Sequence, residues 1–176
     1  MNHQRAEAVS LAGVFESTLE AQGAISSPGT VALVKRRVLR SLVLRCPCGC
    51  GDTLIINLDR RAGKAWRLYR LRGRLSLYPS VWRDTGCQSH FIIWRGRIFW
   101  CDYGDLEDDV QPELESRVLG RLNHDFQRYI EISDALDEVP WDVYMACLRL
   151  ARKGLALRGT GDSRDEFAIN PASHRN

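Results

Sequence analysis

Cys46-Pro47-Cys48-Gly49-Cys50-Gly51 sets three thiols at every second position directly behind an apolar run, and Cys87-Gln-Ser-His90 adds a fourth thiol and an imidazole downstream. Soft thiolates with an imidazole in a tetrahedral array favour zinc, with iron as the alternative. In a strand the alternate spacing would turn all three thiols to one side. Pro47, Gly49 and Gly51 instead favour a tight loop that wraps backbone around a small ion. Two sequence-distant loops must then be brought together by a folded domain, which is how structural zinc sites clamp small β domains. Metal binding outweighs two plainer readings, a redox-active cluster and buried small side chains with His90 satisfied in a core.

The five candidates, Cys46, Cys48, Cys50, Cys87 and His90, are one more than a closed zinc site uses. If the four thiols hold the metal, His90 is free for general acid–base work, with Ser89 beside it as a candidate nucleophile. Neighbours in a strand face opposite ways, so Ser89 and His90 pair only on an irregular backbone. A third arrangement leaves one cysteine unligated as the nucleophile, activated by the metal and nearby arginines. Spacing alone does not choose among these. A hydrolytic metal site also wants a carboxylate base, and Asp52 and Asp84 lie closest, each reading first as a turn or surface residue. Cys101 and Cys147 read as core.

The elements that must position these groups are mostly short strands. Thr30–Val34, Ser41–Arg45, Thr53–Leu58, Trp66–Leu71, Leu75–Tyr78 and Phe91–Trp94 are rich in β-forming residues and bounded by Gly, Pro or charge. The clearest hairpin joins 91–94 to 97–101 through Arg95-Gly96. Ahead of them, Val9, Val14, Phe15 and Leu19 predict an amphipathic helix over 6–21 that stops at Gly23. Pro112 opens a helix carrying Leu114, Val118, Leu122, Phe126 and Ile130 on one face, and a second runs from Trp141 to Lys153. The fold class expected is α+β: a small β-rich zinc-binding domain with one N-terminal helix and two C-terminal helices. Its segments are a helical extension over 1–27, the metal-binding domain over 28–102, an acidic helical segment over 103–157 and a disordered tail over 158–176.

The net charge of +3 conceals a division along the 176 residues. From Pro28 to Trp100 fifteen Lys or Arg face three Asp, a balance of +12, whereas 102–142 holds thirteen acids against three Arg, a balance of −10. Either the acidic part screens the basic one, or each steers its own partner. The N-terminus lacks the apolar run of a signal peptide, and no segment has the length of a membrane span, so a cytoplasmic protein without a membrane partner is expected.

The ordered blocks Cys-x-Cys-Gly-Cys-Gly, Trp66 with Leu68, Leu75-Ser-Leu-Tyr-Pro-Ser80-Val, Cys87-Gln-Ser-His90-Phe and Arg97-x-x-Trp100 resemble the BubE-like family, over about Gly29 to Cys101. Some members are encoded beside bacterial ubiquitin-like conjugation genes. The resemblance implies a peptidase that trims a ubiquitin-like precursor or removes the modifier from its conjugates, with E1- or E2-like enzymes as further partners. It carries the family's motif onto Cys46, Cys48, Cys50, Pro79, Ser80, Cys87, Ser89 and His90. The chain departs from the pattern at Leu44, where many members have His; a catalytic His there would leave this protein a metal binder without turnover. The competing class is a non-catalytic zinc-stabilised module, either a conjugation-enzyme adaptor or, less favoured, a nucleic-acid binder using arginines interleaved with Trp66, Tyr69, Tyr78, Trp82 and Trp94.

Overall fold

A computed structural model describes residues 5–101 and 111–174 and divides the chain into two compact units, Met1–Gly104 and Asp105–Asn176. The fold is α+β, with the β content concentrated in the first unit. The acidic stretch at 105–109 lies outside the described residues.

In the first unit the strands β1 (Ser10–Phe15), β2 (Thr30–Lys35), β3 (Leu39–Arg45) and β4 (Thr53–Asn57) form one sheet in that order. A second sheet runs β5 (Arg67–Leu71), β6 (Arg74–Trp82), β7 (His90–Trp94) and β8 (Arg97–Trp100). The two-residue alternation of apolar side chains dictates how the sheets meet. Val31, Leu33, Leu42, Leu44 and Ile56 from the first sheet enter one cluster with Leu75, Leu77, Val81, Phe91, Ile93 and Ile98 from the second. The intervening Ala32, Val34 and Val43 face the other way and are covered by Ala21 and Ile25, which belong to or follow the short helix α1 (Thr18–Ala24). A strand buried on both faces needs the continuous apolar run that 31–34 and 42–44 provide.

The hairpin turns carry the backbone that their sequences call for. Arg95 and Gly96 both have positive φ (50° and 80°), as do Arg72 and Gly73 (49° and 78°), the requirement of a two-residue turn matched to strand twist. The helix expected over 6–21 is corrected: residues 10–15 are β1, paired in parallel with β2, and only 18–24 is helical. Its start is fixed by Ser17, whose hydroxyl accepts from the Glu20 N–H while the Glu20 carboxylate accepts from the Ser17 N–H. Val14 sits at a spacing that fits a helix, yet the edge of β2 wins it as a strand, while Val9 lies ahead of β1 and donates its N–H to the Gly96 carbonyl.

Among the described residues of the second unit three α-helices replace the expected two: α2 (Pro112–Arg121), α3 (Tyr129–Leu136) and α4 (Pro140–Arg152). The long helix read from Pro112 breaks at Leu122, and β9 (Gln127–Arg128) intervenes. The stretch beyond Arg158 is also more structured than its composition suggested. With β10 (Ala156–Arg158), β11 (Glu166–Ile169) makes a small sheet of order β10-β11-β9, and Phe167 on β11 is fully buried near Tyr144. One buried aromatic in a polar sequence is enough to tether it.

Candidate metal centre and serine–histidine pair

The cysteine loop begins where β3 ends. Cys46 is buried and its N–H donates to the Asp52 carbonyl at 2.8 Å, while the Gly49 N–H donates to the Cys46 carbonyl, closing a turn. Gly49 and Gly51 take φ of 84° and 85°, a region that penalises larger side chains. The Ala6 N–H donates to the Pro47 carbonyl, so the N-terminal segment holds the loop from outside. Cys87 arrives from the connection between β6 and β7, which turns at Gly86 and Gln88, both with positive φ.

Cys46, Cys48, Cys50 and Cys87 form one group whose sulphurs all lie within 4.8 Å of one another. Cys46 Sγ is 3.4 Å from Cys48 Sγ and 3.7 Å from Cys87 Sγ. A zinc ion about 2.3 Å from four sulphurs spaces them about 3.8 Å apart, so the cluster has the dimensions of a four-coordinate site. These four cysteines can hold a metal ion.

The thiols are not equivalent. Burial raises Cys46 far above its ordinary range, and desolvation also raises Cys50. Desolvation pushes Cys87 up too, but hydrogen bonds from Ser89 and the neighbouring cysteines outweigh it and hold Cys87 at about 6. Cys87 is therefore the thiol that enters the cluster most readily as a thiolate.

His90 is not in the four-sulphur group. It opens β7, and its Nε2 lies 3.1 Å from Ser80 Oγ on β6. Ser89, the neighbour named as a candidate nucleophile, is buried and faces the opposite way, with its Oγ 3.0 Å from Cys87 Sγ and 3.9 Å from Cys46 Sγ. The alternation along β7 separates the two: Ser89 turns toward sulphur and His90 toward Ser80. The sequence reading missed the Ser80 contact except as a motif position carried by resemblance. Its signal lies in the sheet register, since Leu77 pairs with Ile93 but Val81 pairs with Phe91, a slip of two residues that takes 78–80 out of regular pairing. The Tyr78–Pro79 peptide within it is cis. Ser80 is further held by its carbonyl, which accepts from Trp66 Nε1 at 3.3 Å.

Trp82 pairs with His90 across the strands and is 70% exposed, a flat apolar surface beside the pair. Asp52 is engaged by Arg83, whose hydrogen bond and charge hold its carboxyl below the usual range. Asp84 is exposed. Cys147 is core, its thiol pushed up to about 12 by burial, whereas Cys101, also read as core, is exposed. Leu44, at the position of departure, is fully buried in the inter-sheet cluster and takes no part in the Ser80–His90 contact. A serine hydroxyl within reach of an imidazole is the arrangement of a base-activated nucleophile.

Fold and site together define a β-sandwich domain with a four-cysteine cluster that could hold a metal ion and a serine–histidine pair on its second sheet. Residues 17–101, just under half of the chain, match the model of the family described as bacterial ubiquitination-like system serine protease (BubE), which supports a BubE-like assignment for that segment. The match starts ahead of Gly29 and so takes in α1 as well as both sheets beyond β1. No curated protein and no solved structure matches the chain.

Proposed function

We propose that the first unit is a zinc-stapled serine peptidase that processes or deconjugates a ubiquitin-like protein, with Ser80 as nucleophile and His90 as its base. The observation that carries this reading is the 3.1 Å contact between His90 Nε2 and Ser80 Oγ. The family description supports the serine class and the ubiquitination-like setting. His90 accepts the Ser80 proton as Oγ attacks the scissile carbonyl. It then gives that proton to the departing amine, leaving an ester on Ser80 that water hydrolyses to free acid and hydroxyl. Zinc on four thiolates is a closed site, and its contribution is to fix the loops that carry Cys87 and Ser89 beside the pair. In this reading His90 is a base and Ser89 a hydrogen-bond partner of Cys87 and Cys46. The exposed face around Trp82 suits an extended tail whose small residues lie flat against it.

The test is incubation of the zinc-loaded protein with a bacterial ubiquitin-like protein bearing a C-terminal extension, read by intact mass. Cleavage by the wild type and its loss in Ser80→Ala and His90→Ala with zinc retained is the expected result. Cleavage surviving in Ser80→Ala defeats the assignment. Binding without cleavage by the wild type would favour the adaptor reading.

A further inference from the structure

Arg83 leaves the end of β6 three residues after Ser80 and lies between the thiol cluster and the serine–histidine pair. Its N–H donates to the Ser89 carbonyl at 2.9 Å, tying the exit of β6 to the residue that precedes His90. Its Nη1 reaches Asp52 Oδ2 at 2.7 Å, Cys87 Sγ at 3.2 Å and Cys50 Sγ at 3.8 Å. One side chain thus touches both cysteine loops, and its main chain braces the start of β7. The guanidinium is only 17% exposed, and a Cβ at Gly86 would lie 3.1 Å from Nη2, so the loop is folded closely around it. Four thiolates around a divalent ion leave two negative charges in excess. A guanidinium beside two of the sulphurs offsets one of them, and its Nη1 is shared between both sulphurs and the Asp52 carboxylate.

We propose that Arg83 is the positioning residue through which an occupied metal site sets the geometry of Ser80 and His90. This rests on the reading of the thiols as a metal site and of Ser80–His90 as the reacting pair. With metal bound, Cys50 and Cys87 are fixed, Arg83 is fixed by them, and the Arg83–Ser89 bond holds β6 and β7 at the spacing that brings His90 to Ser80. Without metal the two cysteine loops are no longer tied to each other, Arg83 keeps Asp52 as its firmest anchor, and the spacing set through Cys50 and Cys87 relaxes. The signal for such a residue in the sequence is weak, since Arg83 is one of fifteen basic residues in its region.

The experiment needs no substrate, so its outcome is separate from that of the peptidase assay. Cobalt and zinc are titrated into the stripped full-length protein against a competing chelator, and the ring nitrogens of His90 are followed by NMR in loaded and stripped protein. In Arg83→Met the metal dissociation constant is expected to rise by roughly ten- to a hundred-fold, the usual effect of losing an outer-shell partner. The His90 signals of the loaded variant should move toward those of stripped wild type. Arg83→Lys keeps the charge but not the planar guanidinium, so both changes should be partial, and it carries the test if the methionine variant does not fold. Asp52→Asn, which removes only the carboxylate end, should change metal affinity less than three-fold. Metal affinity within two-fold of wild type in Arg83→Lys and any folded Arg83→Met overturns the proposal. Unchanged His90 signals in a variant whose metal affinity has fallen overturn it as well.

Discussion

Each unit of this protein gathers ionisable side chains, and the two differ in where the balancing charge comes from. In Asp105–Asn176 the buried carboxylate of Glu115 on α2 meets Arg149 Nε at 2.8 Å and Lys153 Nζ, at and just beyond the end of α4. The chain supplies both signs, and the cluster is complete when the helices pack. In Met1–Gly104 four thiols converge with Arg83 against two of them, and one guanidinium would offset only part of their charge once a metal had drawn them into the thiolate form. Those four cysteines could hold a metal ion, in which case the balancing charge would come from outside the chain. A closed ion-pair group stabilises a unit whatever the solution contains, whereas a thiolate group makes stability conditional on metal.

Metal removal breaks this contrast most strongly. Chelation is expected to lower the unfolding temperature of the first unit by on the order of 10 °C or more, since structural zinc binding is folding free energy. Hydrogen exchange resolved by peptide should show faster exchange in β3, β7 and the cysteine loops, with α2 and α4 unchanged. Equal loosening of both units would mean that the second is not self-sufficient. Next in size, Glu115→Ala removes the anion between two partly exposed cations and should cost about 1–3 kcal/mol, less than a fully buried pair because Arg149 and Lys153 can turn to water. Denaturant unfolding of the second unit measures it, and no change would reduce the triad to a surface feature.

A smaller effect sharpens the comparison from within the first unit, where Asp59 accepts from Arg61 and Arg40. Hydrogen bonds from Arg61 hold its carboxyl at about 2, against roughly 4 in an unfolded chain. A depressed folded value means the contribution is present above pH about 4 and is lost as pH falls toward 2. Asp59→Asn should therefore flatten the loss of stability between those values relative to wild type, measured by acid titration of stripped protein so that metal release does not intrude. Identical acid limbs in the two proteins would remove the pair from the account.

The parts of the fold legible in the sequence are those whose cause is local. Arg95-Gly96 dictates its hairpin because both residues must take positive φ, and Val31–Val34 announces a doubly buried strand because it is apolar on both faces. Cys46, Cys48 and Cys50 are visible as candidate ligands because loop chemistry surrounds them. The misreadings have non-local causes. Residues 10–15 became a strand by pairing with β2, and β11 is ordered because Phe167 found a pocket beside Tyr144. Neither partner lies within the window in which periodicity is read.

The sequence by itself determined that four thiols and a histidine would share one neighbourhood, because the residue types and spacings admit few other uses. It also carried, by motif, the resemblance to the BubE family that the match over residues 17–101 supports. Only the tertiary structure divided the five. It gathered the four sulphurs, turned Ser89 toward them, and through a two-residue slip between β6 and β7 set His90 against Ser80. The reason is physical: ligand chemistry is written in side-chain identity, but which hydroxyl meets an imidazole across two strands depends on register, and register is set by the packing of whole sheets.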